Sequence, residues 1–236
     1  MPIKQRFSLA LVTLFFAGYS HAAVIANSIG EFSATQGSDN WHYGFYNLTA
    51  DASPGYQTAE FVAFDTFSAG AWRASAAQVG AGNNEFLQTN DIGGHPNGLG
   101  PDAQDANVWA MRRYVSEVAG LIDILFDLRK FNTGNPRGNG ITGRIFVDGV
   151  EVYTEVVGNA DGVANVQLLN AIVAVGSVID FAIDPTGTGD ADGSGIASAR
   201  ADGTHFSAVI REHAIPVPGT LVLLTLGIGL VLRRSR

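Results

Sequence analysis

Residues 120–130, GLIDILFDLRK, and 141–156, ITGRIFVDGVEVYTEV, decide the fold. In the first stretch Ile122, Ile124, Phe126 and Leu128 recur at every second position, so a strand lines them up on one face. The run is long enough for a helix, but the alternation and the turns on either side favour a strand. In the second stretch Asp148-Gly149 stands between two runs rich in β-branched residues. That dipeptide between such runs is the strongest short hairpin signal in the chain.

The same grammar extends outward. Segments 108–116 (VWAMRRYVS), 165–173 (NVQLLNAIV), 177–184 (SVIDFAID) and 205–210 read as further strands, and FNTGNPRGN at 131–139 reads as a turn cluster. Upstream, 58–67 alternates loosely and 83–87 suggests a short strand. Residues 50–56 form a turn, and 71–82 permit no assignment. The run DIGGHPNGLGPDAQD at 91–105 is a long Gly/Pro/Asp/Asn loop that includes Asp91 and His95. Loops of that length in compact domains are often functional. Short strands with turns every eight to twelve residues indicate an all-β, antiparallel sandwich.

Residues 41–46 (WHYGFY) alternate as a strand with two different faces. Trp41, Tyr43 and Tyr46 are the candidate glycan-binding residues, because exposed rings hold the CH faces of sugars by apolar contact. Exposure of these rings around a groove supports that role, and full burial removes it.

The segment 184–195, DPTGTGDADGSG, carries the candidate metal ligands. Asp190, Asp192 and Ser194, followed by Gly195, match the opening of a calcium loop, in which oxygens at alternate positions surround a tight glycine turn. The twelfth position holds Ala201 in place of a bidentate Glu, and Asp202 is the neighbouring carboxylate. Half of the motif is present. Calcium is therefore the one cofactor the sequence suggests, with a solvated Asp/Gly turn as the alternative.

The sequence has no cysteine, no H-E-x-x-H, no G-x-S-x-G elbow and no phosphate-binding glycine pattern. A non-catalytic protein is expected. A secreted hydrolase would need two carboxylates converging in a cleft, and sequence cannot measure their separation.

Both ends read as address labels. Lys4 and Arg6 precede an apolar run from Phe7 to Gly18, and Ser20-His21-Ala22 offers small-x-small cleavage after Ala22, so 1–22 reads as a signal peptide. At the other end, 215–236 is IPVPGTLVLLTLGIGLVLRRSR. Pro216 and Pro218 hold an extended segment, an uncharged apolar run follows, and Arg233, Arg234 and Arg236 form a positive stop. As a helix, 217–232 would be roughly 24 Å long, short of a hydrocarbon core of about 30 Å. The expected domain is 23–213.

Five of the fourteen basic residues lie in these ends and all twenty-two acidic residues lie between them. The body is left with nine positive charges against twenty-two negative, a net −13. Such a surface repels nucleic acid and anionic lipid.

The C-terminal order of Pro-X-Pro, apolar helix and Arg cluster resembles the PEP-CTERM sorting signal of the bacterial exosortase system. Ile215, Pro216 and Pro218 match its motif, and Val217 stands where Glu is usual. The resemblance implies an exosortase-type partner acting at 215–218 and a transient inner-membrane intermediate. It further implies placement at the cell surface or in the extracellular matrix, with a structural or adhesive role in an exopolysaccharide-rich envelope. Residues 105–185 resemble the jelly-roll, carbohydrate-binding-module-like region of secreted bacterial proteins. Arg112, Arg113, Tyr114, Gly120, the glycines at 138 and 140, Asp148-Gly149 and the strand ending at Asp184-Pro185 carry that likeness. It implies a fold and no ligand residue. A calcium-assisted, lectin-like module that takes extracellular polysaccharide is the competing expectation.

Overall fold

A computed structural model describes residues 22–53, 55–83, 85–98, 106–135, 138–187 and 202–214. In chain order the strands are β1 (Val24–Asn27), β2 (Trp41–Asn47), β3 (Val62–Ala63), β4 (Thr66–Ser68), β5 (Ala71–Arg73), β6 (Gln88–Asn90) and β7 (Gly93–His95). After these come β8 (Val108–Val115), β9 (Gly120–Lys130), β10 (Ile141–Val147), β11 (Val150–Val157), β12 (Val166–Val173), β13 (Val178–Asp184) and β14 (Thr204–Glu212).

They form two antiparallel sheets. One runs β12-β9-β14-β7-β6-β5-β4, with β1 also paired to β14; the other runs β11-β10-β13-β8-β2-β3. The protein is an antiparallel β-sandwich, and residues 23–213 form one compact unit.

The central strands fall where the alternation puts them. Ile122, Ile124, Phe126 and Leu128 of β9 are buried and face the inner row of the second sheet. The turn between β10 and β11 has Asp148 at φ 51° and Gly149 at φ 82°, the left-handed pair that a type I′ hairpin requires. Each sheet therefore offers one apolar face, and burying the two against each other is the main stabilising term.

The upstream third departs from its expected strands. Residues 58–67 are broken into a 3-10 turn (Thr58–Glu60), β3 and β4, because this stretch leaves one sheet and joins the other. The strand expected at 83–87 begins instead at Gln88, and the loop after Asp91 contributes β7. Gly93 permits this. A Cβ there would lie 2.0 Å from the carbonyl oxygen of Thr204 on β14.

The second sheet also has a covered outer face. After β2 the chain runs back across that face through residues 48–61, and Gly44 lets it settle: a Cβ would lie 2.3 Å from the Val62 carbonyl oxygen and 2.6 Å from the Phe61 ring. A second aromatic cluster results, made of Tyr46, Tyr56, Trp109, Met111, Phe146 and Ala182, with Leu48 and Phe61 against it. Among the described residues no helix is long and apolar enough to cross a membrane, and the apolar run at 219–232 lies outside them.

Candidate functional site

Strand β8 sets the site by placing adjacent arginines on opposite faces, as a two-residue period demands. Arg112 points inward and is buried. It donates to the carbonyls of Ser28 (3.2 Å), Asp91 (3.2 Å), Gly93 (3.1 Å) and Asn90, with its guanidinium 5.1 Å from the Phe206 ring centroid. Burial brings its pKa down to about 10, so it stays charged at neutral pH. Its work is structural.

Arg113 points outward and fastens the covering segment. Its Nε donates to Asp180 Oδ1 at 2.8 Å, and its Nη2 reaches Asp180 Oδ2 (3.0 Å), the Tyr56 hydroxyl (2.9 Å) and the Thr58 carbonyl (2.8 Å). The Tyr56 hydroxyl donates to Asp180 Oδ2 at 2.6 Å. Burial, and then the Asp180 charge, push that hydroxyl's pKa up, so it remains a donor.

Beside this fastening lies a cleft of about 460 Å3. Its floor is aromatic. Trp109 packs edge-on against Tyr46 at 4.9 Å and stacks at 22° on Phe146, and Tyr56 meets Phe146 at 4.8 Å. Trp109 is 6% exposed, so it offers the cleft a narrow strip of ring. Its indole N–H is buried and has no acceptor among the described residues.

The rim is polar. Arg144 from β10 lies over the Trp109 ring, its Cζ 5.1 Å from the centroid. It donates from Nη1 to Glu151 Oε2 at 3.0 Å and from Nε to Asp184 Oδ2 at 3.1 Å. Asp184 Oδ1 in turn accepts from the Thr186 amide and hydroxyl at 2.9 and 2.7 Å. Gln57, Gly55 and Leu48 of the covering segment close the other side, with Gly149 of the hairpin. An apolar floor with a few oriented polar groups at its edge is the usual make-up of a small-molecule site.

The rings chosen from the sequence are elsewhere. Trp41 and Tyr43 are fully buried on the inner face, Trp41 against Tyr114 at 5.2 Å and Tyr43 stacked on Trp72 at 6.1 Å. The Trp41 indole N–H is spent on Glu31 Oε2 at 2.9 Å. Tyr46 does face outward, yet the covering segment leaves it 1% exposed and its hydroxyl donates to Asp51 Oδ2 at 2.6 Å. No ring of this trio is open to a sugar, so the groove expected on β2 is absent. The inner pair fills the sandwich, and the outer ring props the floor of the cleft.

Of the candidate calcium ligands, Asp190, Asp192 and Ser194 lie outside the described residues. Asp202 is fully buried and accepts from Lys130 Nζ at 2.7 Å. Burial raises its pKa to about 6 against the pull of that lysine. Asp184, which opens the 184–195 segment, serves Arg144 on the other sheet. Among the described residues no three His, Cys, Asp or Glu converge on a point. The sorting residues Ile215, Pro216, Val217 and Pro218 and the stop residues Arg233, Arg234 and Arg236 lie outside the described residues as well. Ala22, the expected cleavage residue, is the first described residue. His95 of the long loop is partly buried, its Nδ1 2.7 Å from the Pro96 carbonyl oxygen.

Sequence reasoning missed Trp109, Tyr56 and Arg144. Period-two parity puts Trp109 in the row of Arg113, and Arg144 in the row of Phe146. What it lacked was any sign that 48–61 would fold over those rows.

No family model matches the chain, and no curated protein matches it. Among solved structures, the CBM51 of Clostridium perfringens GH95 in complex with methyl-galactose overlaps 50% of this chain and 80% of its own at 10% identity, TM-score 0.29. The β-glucosidase of Kluyveromyces marxianus in complex with glucose gives 12% identity and TM-score 0.34, over 84% of this chain and 19% of its own. The CBM51-2 and INT domains of C. perfringens ZmpB, with GlcNAc, give 11% identity and TM-score 0.31, over 82% and 41%. The chain thus spans less than half the length of the last two. Overlap this slight fixes neither topology nor ligand, and the sandwich stands on its own strand pairing.

Proposed function

We propose that the outer-face cleft binds a glycan, and that the chain is a non-catalytic binding module of an exported protein. The observation that carries this is the aromatic floor of Trp109, Tyr56 and Phe146 under a rim of Arg144, Glu151, Asp184 and Gln57, with the buried Trp109 indole N–H left without an acceptor among the described residues. A buried unpaired donor costs about 1–3 kcal/mol. A ligand hydroxyl arriving beside it recovers that cost, while the ring strip takes apolar contact from the sugar. The signal-peptide-like segment at 1–22 and the PEP-CTERM-like segment at 215–236 support a location at the cell surface or in an exopolysaccharide matrix, with an exosortase-type enzyme as the proposed processing partner.

Calorimetric titration of the full chain with methyl-galactoside, GlcNAc oligomers and glucose oligomers tests the reading, with calcium and then with chelator. Binding is expected to weaken at least about tenfold in Trp109→Phe, which removes the donor and keeps a ring. Gln57→Ala, at the rim, gives a second readout in case the floor variant misfolds. Saturable binding that both variants leave unchanged would place the ligand elsewhere. Binding that disappears with chelator would bring the 190–194 segment into the site.

A further inference from the structure

Resting on that reading, we infer that the cleft selects an uncharged glycan over a uronate or sulfate-bearing one, with Glu151 as the residue that sets the preference. Arg144 is the one cation among the described residues that line the cleft. A guanidinium beside a sugar site would normally recruit carboxylate or sulfate, since its planar fork matches their geometry. Here the fork is already occupied. Nη1 is held by Glu151 at 3.0 Å, and Nε and Nη2 by Asp184 at 3.1 and 3.0 Å.

The count of charges points the same way. Arg144 faces two carboxylates, so the rim carries a net −1. Arg113, next along the same face, is taken up by Asp180. An arriving carboxylate therefore meets an occupied arginine and an excess of negative charge, in a body whose own net charge is −13. A neutral sugar meets no such cost. Its hydroxyls can donate to the outer lone pairs of Glu151 and Asp184 and accept from the Trp109 indole.

The two acids differ in kind. The Asp184 side chain is 3% exposed and is also bound by the Thr186 amide and hydroxyl, so it is built into the end of β13. The Glu151 side chain is 36% exposed and touches only Arg144 among the hydrogen bonds formed by the described residues. Glu151 is thus the removable half of the clamp. Neutralising it balances the rim and frees one edge of the guanidinium for a ligand anion.

The test titrates the full chain with a neutral galactan and with polygalacturonate at equal ionic strength, for wild type and Glu151→Gln, after a thermal melt confirms that the variant is folded. Wild type is expected to bind the galactan at least about tenfold more tightly, the size of one charge-assisted hydrogen bond. Glu151→Gln is expected to gain about tenfold on polygalacturonate and to weaken on the galactan, whose hydroxyls lose a carboxylate acceptor, so the preference for the galactan falls by at least about tenfold. The preference should shrink in 1 M salt, where the screening length falls to about 3 Å. Equal wild-type affinities for the two polymers, or an unchanged ratio in Glu151→Gln, would overturn the inference and leave the glycan cleft standing. Binding to neither polymer would overturn the glycan reading itself, and this inference with it.

Discussion

Arg112 and Arg113 are neighbours on β8, yet the two faces of the sheet use them in opposite ways. On the inner face Arg112 is buried among backbone carbonyls and the Phe206 ring, with no carboxylate bonded to it among the described residues. On the outer face Arg113 is locked to Asp180 and Tyr56, and its guanidinium lies 4.1 Å from the Phe61 ring. Each face has its own aromatic cluster, one filling the sandwich and the other paving a cleft. The lesson is that a buried ring reports packing, and a binding surface begins only where a covering segment stops short. Leu48, Gly55, Tyr56 and Gln57 of the covering segment form one side of the cleft, which opens beyond them.

The sharpest way to break this contrast is to empty the inner face. Trp41→Ala should cost about 3–5 kcal/mol, the range for a large aromatic lost from a packed core. Urea unfolding measures it, and the cleft's affinity should survive in the folded fraction. A loss below about 1 kcal/mol would mean that the inner cluster is not what holds the sandwich together.

Next in size is the outer ion pair. Arg113→Met strands the fully buried Asp180 and should cost about 3 kcal/mol, because a lone buried charge is worse than no pair at all. Pairing it with Asp180→Leu should restore much of that stability while loosening Tyr56, which then has no carboxylate to hold. A double-mutant cycle separates the two effects.

Acid provides a third comparison, between a base and an acid that burial both pushes toward the neutral form. Burial lowers the His95 pKa from 6.5 to about 4. Between those values the unfolded chain takes up a proton that the folded chain refuses, so His95 makes stability fall as pH falls through that window. Asp202, raised from 3.8 to about 6 by burial, works in the opposite sense: the folded chain holds its proton first, and this term strengthens as pH falls. His95→Asn removes only the first. From pH 7 to pH 4.5 the gap between variant and wild type should move by about 2 kcal/mol in the variant's favour, allowing for the part of the ring that water reaches. A gap that stays flat with pH would show that the ring titrates as it does in the unfolded chain.

The smallest effect belongs to the edge strand β12, where Ile172 is 79% exposed. Ile172→Lys should change stability by less than about 0.5 kcal/mol, since it fills no core position. Against Trp41→Ala, it marks the distance between a residue that is merely apolar and one that is packed.

The central strands were legible because their evidence is local. The rows of β9 and the Asp148-Gly149 turn need only the period of a strand and the φ of a hairpin, and β9 and β10 fall on their expected residues. The upstream third was less legible because β3 to β7 are two or three residues long, too short for a period to show, and their pairing is settled by distant partners such as Thr204. The rings expected to hold a glycan on β2 are buried, and the cleft proposed for that role takes its tryptophan from β8. Trp41 and Trp109 both stand at or near the start of a strand-forming run, and no local rule says which one the sandwich will close over.

What the sequence determined by itself is the sheet grammar, the inward and outward parity of each central strand, and the acidic surplus that any ligand must face. Tertiary structure alone decided that Arg144 would lie over Trp109 between Glu151 and Asp184, and that Tyr56 would cross the sheet to meet Asp180. The reason is one of range. Alternation is written in neighbouring residues, whereas a cleft is made where segments far apart in sequence meet, as Tyr56 and Asp180 do across 124 positions, and leave part of a sheet uncovered.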